Sequence, residues 1–187
     1  MDKIRCDWVD LNNQLYVDYH DKEWGVAEHN DTKLFELLTL EGAQAGLSWS
    51  TILKKRQNYI KAFDNFDVEK IVKYDQKKID ELLQNSGIIR NKLKISSTIK
   101  NAQVFIQIQK EFGSFNKYLW AFVNNQPIKN NFETLKDFPT STDLSDKISK
   151  DLKKRGMNFV GYTIIYAYLQ AVGVVTDHQL KCFKYVK

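Results

Sequence analysis

The sequence predicts an all-α fold, and three observations lead to that class. Apolar residues recur every three or four positions through most of the chain, and almost no segment alternates with period two. Glycines and cap-forming polar side chains punctuate the periodic runs at the places where helices start and stop.

Taken in order, the first element lies around His20: if that segment is helical, Tyr16, Tyr19, His20 and Trp24 fall at i, i+3, i+4 and i+8 on one face. Behind the cap residues Asn30 and Asp31, the residues Leu34, Leu37, Leu38, Glu41 and Ala45 keep helical spacing. A short stripe of Ile79, Leu82 and Leu83 is stopped by Gly87. The longest amphipathic run, Ile95, Ile99, Ala102, Phe105 or Ile106, and Ile108, is closed by Gly113. Ser114 then caps a segment carrying Phe115, Tyr118, Leu119 and Phe122. After a polar loop around Pro127 to Thr142, Leu144, Ile148 and Leu152 repeat every fourth residue up to Gly156. The turn Gly156 to Gly161 leads into an uncharged helix over Ile164 to Val172, which makes helix, glycine-bounded hairpin, helix.

The 187 residues, 43% hydrophobic and 13% aromatic, can bury a core of their own, and no linker divides them. The expectation is one unit over 1–187, with terminal segments (about 1–30 and 174–187) packed against a helical core. Cys6 and Cys182 cannot form the disulfide framework of a small secreted scaffold, and no leader opens the chain. A reducing, cytoplasmic setting is expected. The stretch from Gly156 to Thr176 lacks charge, but Gly156, Gly161, Gly173, Asn158 and Gln170 interrupt it, so it reads as a core helix rather than a membrane span. The net charge of +5 is uneven: residues 1–50 carry 4 basic and 10 acidic side chains, and residues 51–187 carry 24 and 13. That split points to a polyanionic partner for the later part, against the plainer reading of solvated lysine-rich helices.

Cys6 and His20 stand near the start, and His178 and Cys182 near the end. On a helix the latter pair would face one way; two thiolates and two imidazoles suit a tetrahedral, closed and therefore structural zinc site, with ordinary buried side chains as the alternative. Glu41 interrupts an apolar stripe, where an unpaired carboxylate is costly. Either an internal cation satisfies it or a ligand bearing positive charge or N–H donors does. Glu41 runs through Gly46 and the apolar Leu47 to Trp49, in outline the edge of a pocket; separately, the face of Tyr16, Tyr19 and Trp24 can be a stacking platform for a planar ligand, with core packing as the alternative. The turn after Lys153, Lys154 and Arg155 offers backbone amides and basic side chains to phosphate, although helix packing explains it equally well.

Together these residues resemble the 3-methyladenine DNA glycosylase I family of the helix-hairpin-helix superfamily. The resemblance is carried by Arg5-Cys6-x-Trp8, Tyr19-His20-Asp21-x-Glu23-Trp24-Gly25-Val26, Leu40-Glu41-Gly42-x-Gln44-Ala45-Gly46-Leu47-Ser48-Trp49, Leu152-Lys153-Lys154-Arg155-Gly156-x-x-Phe159-Val160-Gly161 and Asp177-His178. It implies a helix-hairpin-helix glycosylase architecture and a structural zinc on Cys6, His20, His178 and Cys182. It also implies a base pocket in which Glu41 contacts the lesion among Tyr16, Tyr19, Trp49 and Trp24, with Glu41 the residue that carries the chemistry. Gly46 and Leu47 would fill the gap left in the stack, while Lys153, Lys154, Arg155, Gly156 and Gly161 would hold DNA phosphates; apart from the resemblance, the basic residues Arg90, Lys92 and Lys94 are expected as further backbone contacts. The implied activity is hydrolytic release of 3-methyladenine by a monomer acting on double-stranded alkylated DNA, without lyase chemistry. Thr176 stands where the wider superfamily carries its catalytic aspartate, so that acid is not expected to act here. The competing classes are a zinc-stabilised DNA-binding module without catalysis and a zinc hydrolase.

Overall fold

The computed structural model describes residues 3–185. Its helices are α1 (Gln14–Lys22), α2 (Asp31–Gln44), α3 (Trp49–Ala62), α4 (Val68–Ile71), α5 (Gln76–Gln84), α6 (Lys92–Phe112), α7 (Phe115–Ala121), α8 (Asp143–Arg155) and α9 (Tyr162–Ala171), with 3-10 turns at Asp64–Phe66 and Leu135–Asp137. Local chemistry sets the boundaries: the side chains of Asn30, Ser48, Asp75, Asn91 and Ser114 each accept a backbone N–H in the first turn of the helix that follows. At the other end, Gly113 and Gly156 take φ of +85° and +106°, which stops α6 and α8 where the sequence places their ends.

α2 is the axis of the molecule. It packs against α3, α6, α7 and α9, and every residue from Leu34 to Ala43 is buried. A helix buried all round has no solvated face for its polar residues, so the stripe expected from the sequence is really a sheath, and it encloses Glu36 as well as Glu41. α8 and α9 pack against each other and are joined by the turn 156–161. The turn is pinned from α6 by a reciprocal amide pair: Asn101 Nδ2 donates to the Asn158 carbonyl at 2.8 Å, and the Asn158 N–H donates to Asn101 Oδ1 at 2.9 Å. Gly42 lets α2 approach this turn, since a Cβ there would sit 3.1 Å from the Cβ of Phe159. Among the described residues no helix is long and apolar enough to cross a membrane.

Three local features differ from expectation. α1 ends at Lys22, so Trp24 lies in the turn beyond it rather than on the aromatic face. His178 and Cys182 lie on irregular chain beyond the last helix, so their spacing is not that of one helix face. The polar loop contains strand β1 (Ile128–Lys129), which pairs in parallel with β2 (Val175–Thr176), Ile128 opposite Val175. Such two-residue strands are too short to leave a periodic signal in the sequence.

Candidate functional site

The segment around Cys6, the end of α1 and the segment after β2 converge on one buried cluster. Cys6, His20, His178 and Cys182 present ligand atoms that all lie within 4.8 Å of one another, and all four residues are buried. Cys182 Sγ is 3.4 Å from His20 Nε2 and 3.7 Å from His178 Nδ1; Cys6 Sγ is 3.6 Å from that same Nδ1. Each imidazole holds an acceptor with its far nitrogen. His20 Nδ1 pairs with Asp21 Oδ1 at 2.8 Å, and His178 Nε2 with the Trp24 carbonyl at 3.2 Å. Protons engaged outward leave the inward nitrogens as lone-pair donors, the arrangement in which imidazoles ligate metal. Asp21 is itself gripped by Arg5 through two 2.8 Å bonds, and this guanidinium holds its carboxyl down at about 2. Backbone N–H groups of Gln179 and Lys184 approach the two sulfurs at 3.5 and 3.4 Å. Both thiols are unpaired, so no disulfide joins them. Gly25, at φ +73°, is required beside the cluster because a Cβ would stand 2.9 Å from His178 Nε2.

An aromatic wall separates this cluster from a cavity of about 170 Å³. Trp8 meets Trp24 at 4.9 Å between ring centroids, Tyr16 at 5.6 Å and His20 at 5.4 Å, and Trp24 meets His178 at 4.7 Å. On the far side the cavity is lined by Tyr16, Tyr19, Trp24, Glu41 and Trp49, five residues selected from the sequence, and by Trp8, Gln44, Phe138, Ala167 and Gln170, which were not selected as site residues. Tyr19 and Trp49 face each other at 5.3 Å. Phe138 arrives from the polar loop after β1, and no local pattern in the sequence signals that reach.

Glu41 is 4% exposed and accepts no hydrogen bond among the described residues. Burial without a partner pushes its carboxyl up to about 8. Its neighbour Glu36 shows the opposite solution: equally buried, it receives Arg56 Nε and Lys33 Nζ, each at 2.7 Å. The indole N–H groups of Trp8 and Trp49 are likewise buried and unpartnered, so the cavity wall holds one orphan acid and two orphan donors. Tyr16 and Tyr19 stay neutral, their phenols pushed up by burial and by the adjoining Glu41.

Glu41, Gln44 and Ala167 also border a second recess of about 220 Å³, whose rim is formed by Ala45, Gly46, Leu47, Thr163 and Ile164. Gly46 takes φ +77°, and Leu47 projects with 40% exposure. Beyond the rim, the N–H groups of Gly161, Tyr162 and Thr163 at the start of α9 meet no acceptor among the described residues, and α9 has no side-chain cap. Lys153 and Lys154 are exposed beside this turn. Arg155 is placed otherwise: its guanidinium bonds Glu111 at 2.6 Å and Asp151 at 2.7 Å and lies over the rings of Phe112 and Tyr118. Lys94, expected on phosphate, turns inward and caps α2 by bonding the carbonyls of Ala43 and Ala45 at 2.7 Å.

A cavity walled by aromatics with an unpaired acid in its lining, near a bare helix N-terminus and a Cys/His cluster, has the chemistry to take a flat, positively charged or N–H-bearing ligand attached to a polyanion. The chain belongs to the methyladenine glycosylase family, whose model matches residues 8–185. It is 48% identical over 181 residues to the DNA-3-methyladenine glycosylase 1 of Escherichia coli, covering 97% of this chain and 96% of that protein. Among solved structures, a crystal structure of 3-methyladenine DNA glycosylase I superposes with a TM-score of 0.95 at 47% identity, covering 98% of this chain and all of that one. A variant of 3-methyladenine DNA glycosylase I in complex with 3-methyladenine superposes with a TM-score of 0.94 at 34% identity, with 98% of each chain covered.

Proposed function

We propose that this protein is a base-excision enzyme that extrudes 3-methyladenine from double-stranded alkylated DNA into the aromatic cavity and hydrolyses its N-glycosidic bond. The observation that carries this reading is Glu41, a buried carboxylate with no partner in a cavity shaped for a planar ring. Methylation at the 3-position gives the purine a positive charge. A cation entering the cavity supplies what Glu41 lacks, whereas neutral adenine does not, so the site selects the lesion by charge and by the donors on its amino edge. Tyr16, Tyr19, Trp49 and Trp24 supply the stacking faces.

The reaction then needs little acid or base. The bond between the anomeric carbon and the ring nitrogen breaks, its electron pair neutralises the purine cation, and water adds to the sugar and releases a proton to solvent. Thr176 leaves the superfamily's aspartate position without a carboxylate, so extrusion, desolvation and charge selection carry the rate. No covalent intermediate and no strand cleavage are involved. Gly46 and Leu47 stand at the rim to fill the vacated stack, and the turn Gly156 to Gly161 with Lys153 and Lys154 holds phosphate through amides and charge. Arg155 serves that surface indirectly, bracing α8 against α6.

The Cys/His cluster fits zinc: two sulfurs, two nitrogens presented as lone pairs, no open position, and N–H groups that favour thiolates. Cys6, His20, His178 and Cys182 would hold the ion, which supplies folding stability rather than chemistry at the bond. We read the chain as one intracellular glycosylase unit acting as a monomer, in which this centre joins the terminal segments within a helix-hairpin-helix architecture. Incubating the protein with methylated duplex DNA and identifying released bases tests the whole reading. Free 3-methyladenine and an abasic site are expected; DNA binding without base release would overturn it in favour of a non-catalytic module.

A further inference from the structure

Gln170 lies on α9 and lines the cavity together with Glu41. Its Nε2 donates to Asp177 Oδ2 at 2.7 Å, and its Oε1 accepts no hydrogen bond among the described residues. Asp177 is fully buried and does not line the cavity. It also accepts from Asn130 Nδ2 at 2.7 Å and from the Tyr166 hydroxyl, so its lone pairs are engaged by three neutral donors. A carboxylate can only accept, so Asp177 fixes which end of the Gln170 amide it binds: the nitrogen faces Asp177 and the oxygen is left for the cavity.

The position of Gln170 decides what that oxygen can meet. Thr163, Ala167 and Gln170 are spaced i, i+4 and i+7 on one face of α9. Thr163 borders the outer recess with Leu47, Ala167 borders both spaces, and Gln170 borders only the inner cavity, about 10 Å along the helix from Thr163. The sugar of an extruded nucleotide stays at the rim with its phosphates. Gln170 therefore faces the far edge of the base, not the water that attacks the sugar.

We propose that Gln170 reads the exocyclic amino group of the purine through Oε1, sharing its two N–H donors with Glu41, and that Asp177 is the positioning residue that forbids the amide from turning over. The proposal rests on the pocket assignment made above and adds a specificity to it. Adenine presents an amino group at the 6-position, while guanine presents a carbonyl there. Two acceptors converging on that position welcome the first and oppose the second, although 3-methylguanine carries the same kind of cationic ring.

The test is the ratio of 3-methyladenine to 3-methylguanine released from one methylated DNA under single-turnover conditions. Gln170→Leu is expected to lower this ratio about ten-fold, the scale of one neutral hydrogen bond. Asp177→Asn, which lets the amide turn over because asparagine can also donate, is expected to lower the ratio with Gln170 intact. Equal losses for both bases, or an unchanged ratio, would overturn the proposal, since a merely structural role scales both rates together. A measurement on the unaltered protein covers variants that fail to fold: the side-chain amide resonances of Gln170 should shift when free 3-methyladenine is titrated in. Binding, seen by tryptophan fluorescence, without that shift would overturn it. If the unaltered protein neither binds nor releases 3-methyladenine, the pocket assignment falls and this inference with it.

Discussion

Glu36 and Glu41 stand five residues apart on the same buried helix and resolve the same electrostatic problem in opposite ways. Glu36 is neutralised by Arg56 and Lys33, and Arg56 extends the network to Glu23 at 2.7 Å. Glu41 keeps its cost in the free protein. Replacing Arg56 by methionine should therefore destabilise by roughly 3 kcal/mol in chemical unfolding while leaving the base-release rate of the folded protein intact. Glu41→Gln should do the reverse, folding normally and losing about 10- to 100-fold in kcat/KM for 3-methyladenine, the worth of a hydrogen bond to a charged group. The pH dependence has a definite sign. Burial raises the Glu41 carboxyl from about 4.5 to about 8, so its contribution to stability is full below 4.5, declines as the pH rises, and levels off above 8. The thermal advantage of Glu41→Gln over the parent should widen across that window. Because the carboxylate is the form that attracts a cation, kcat/KM should rise with pH towards 8 in the parent and stay flat there in Glu41→Gln.

Among the elements, the hairpin separates charge that is free from charge that is spent. Lys153 and Lys154 point into solvent, while Arg155 is committed to Glu111 and Asp151. Alanine at Lys153 or Lys154 should lower the salt dependence of binding to undamaged duplex by about one unit of slope each. Alanine at Arg155 should leave the slope nearly unchanged and lower the unfolding temperature. Sequence reading grouped all three because consecutive basic residues look alike until the opposing helix is known. The same blindness hid Lys94, whose partners lie on another helix, and Phe138 and Gln170, which reach the cavity from a loop and from the last helix. Helix starts and stops were legible because capping is local: Asn30, Ser114, Gly113 and Gly156 act within a few residues of where they stand. The Cys/His cluster was legible for another reason. Cysteine and histidine are scarce here, so four such residues near the two ends of the sequence were easily noticed, though the irregular chain that carries His178 and Cys182 left no local pattern.

At the scale of the whole molecule, the Cys/His cluster unites segments that are far apart in sequence, and its neighbours reinforce the union. Gln179 bonds the Asp7 backbone at 2.6 Å and the Glu133 carbonyl at 2.9 Å, the Phe183 N–H reaches the Ile4 carbonyl at 2.8 Å, and β1 pairs with β2. Protein purified without added metal should carry one zinc per chain by elemental analysis. Stripping it with a strong chelator should lower the unfolding temperature, and a metal-free chain of unchanged stability would contradict the assignment. The uneven charge also acts globally: the acidic first 50 residues supply Glu41, the carboxylate that lines the cavity, while Lys153 and Lys154 come later.

The convergence of Cys6 and Cys182 also orders events in time. A ribosome adds the 176 residues from Asp7 to Cys182 in roughly ten to thirty seconds, and until then Cys6 and His20 lack Cys182. Trp24 and Gly25 seat against His178, so this contact of the cavity wall cannot form until His178 has been synthesised. The wall of the cavity is thus among the last parts to set. The core closes no earlier: Leu169, Val172, Val174, Val175 and Cys182 all belong to it, so burial of the core and completion of the cavity wall await the same stretch of chain.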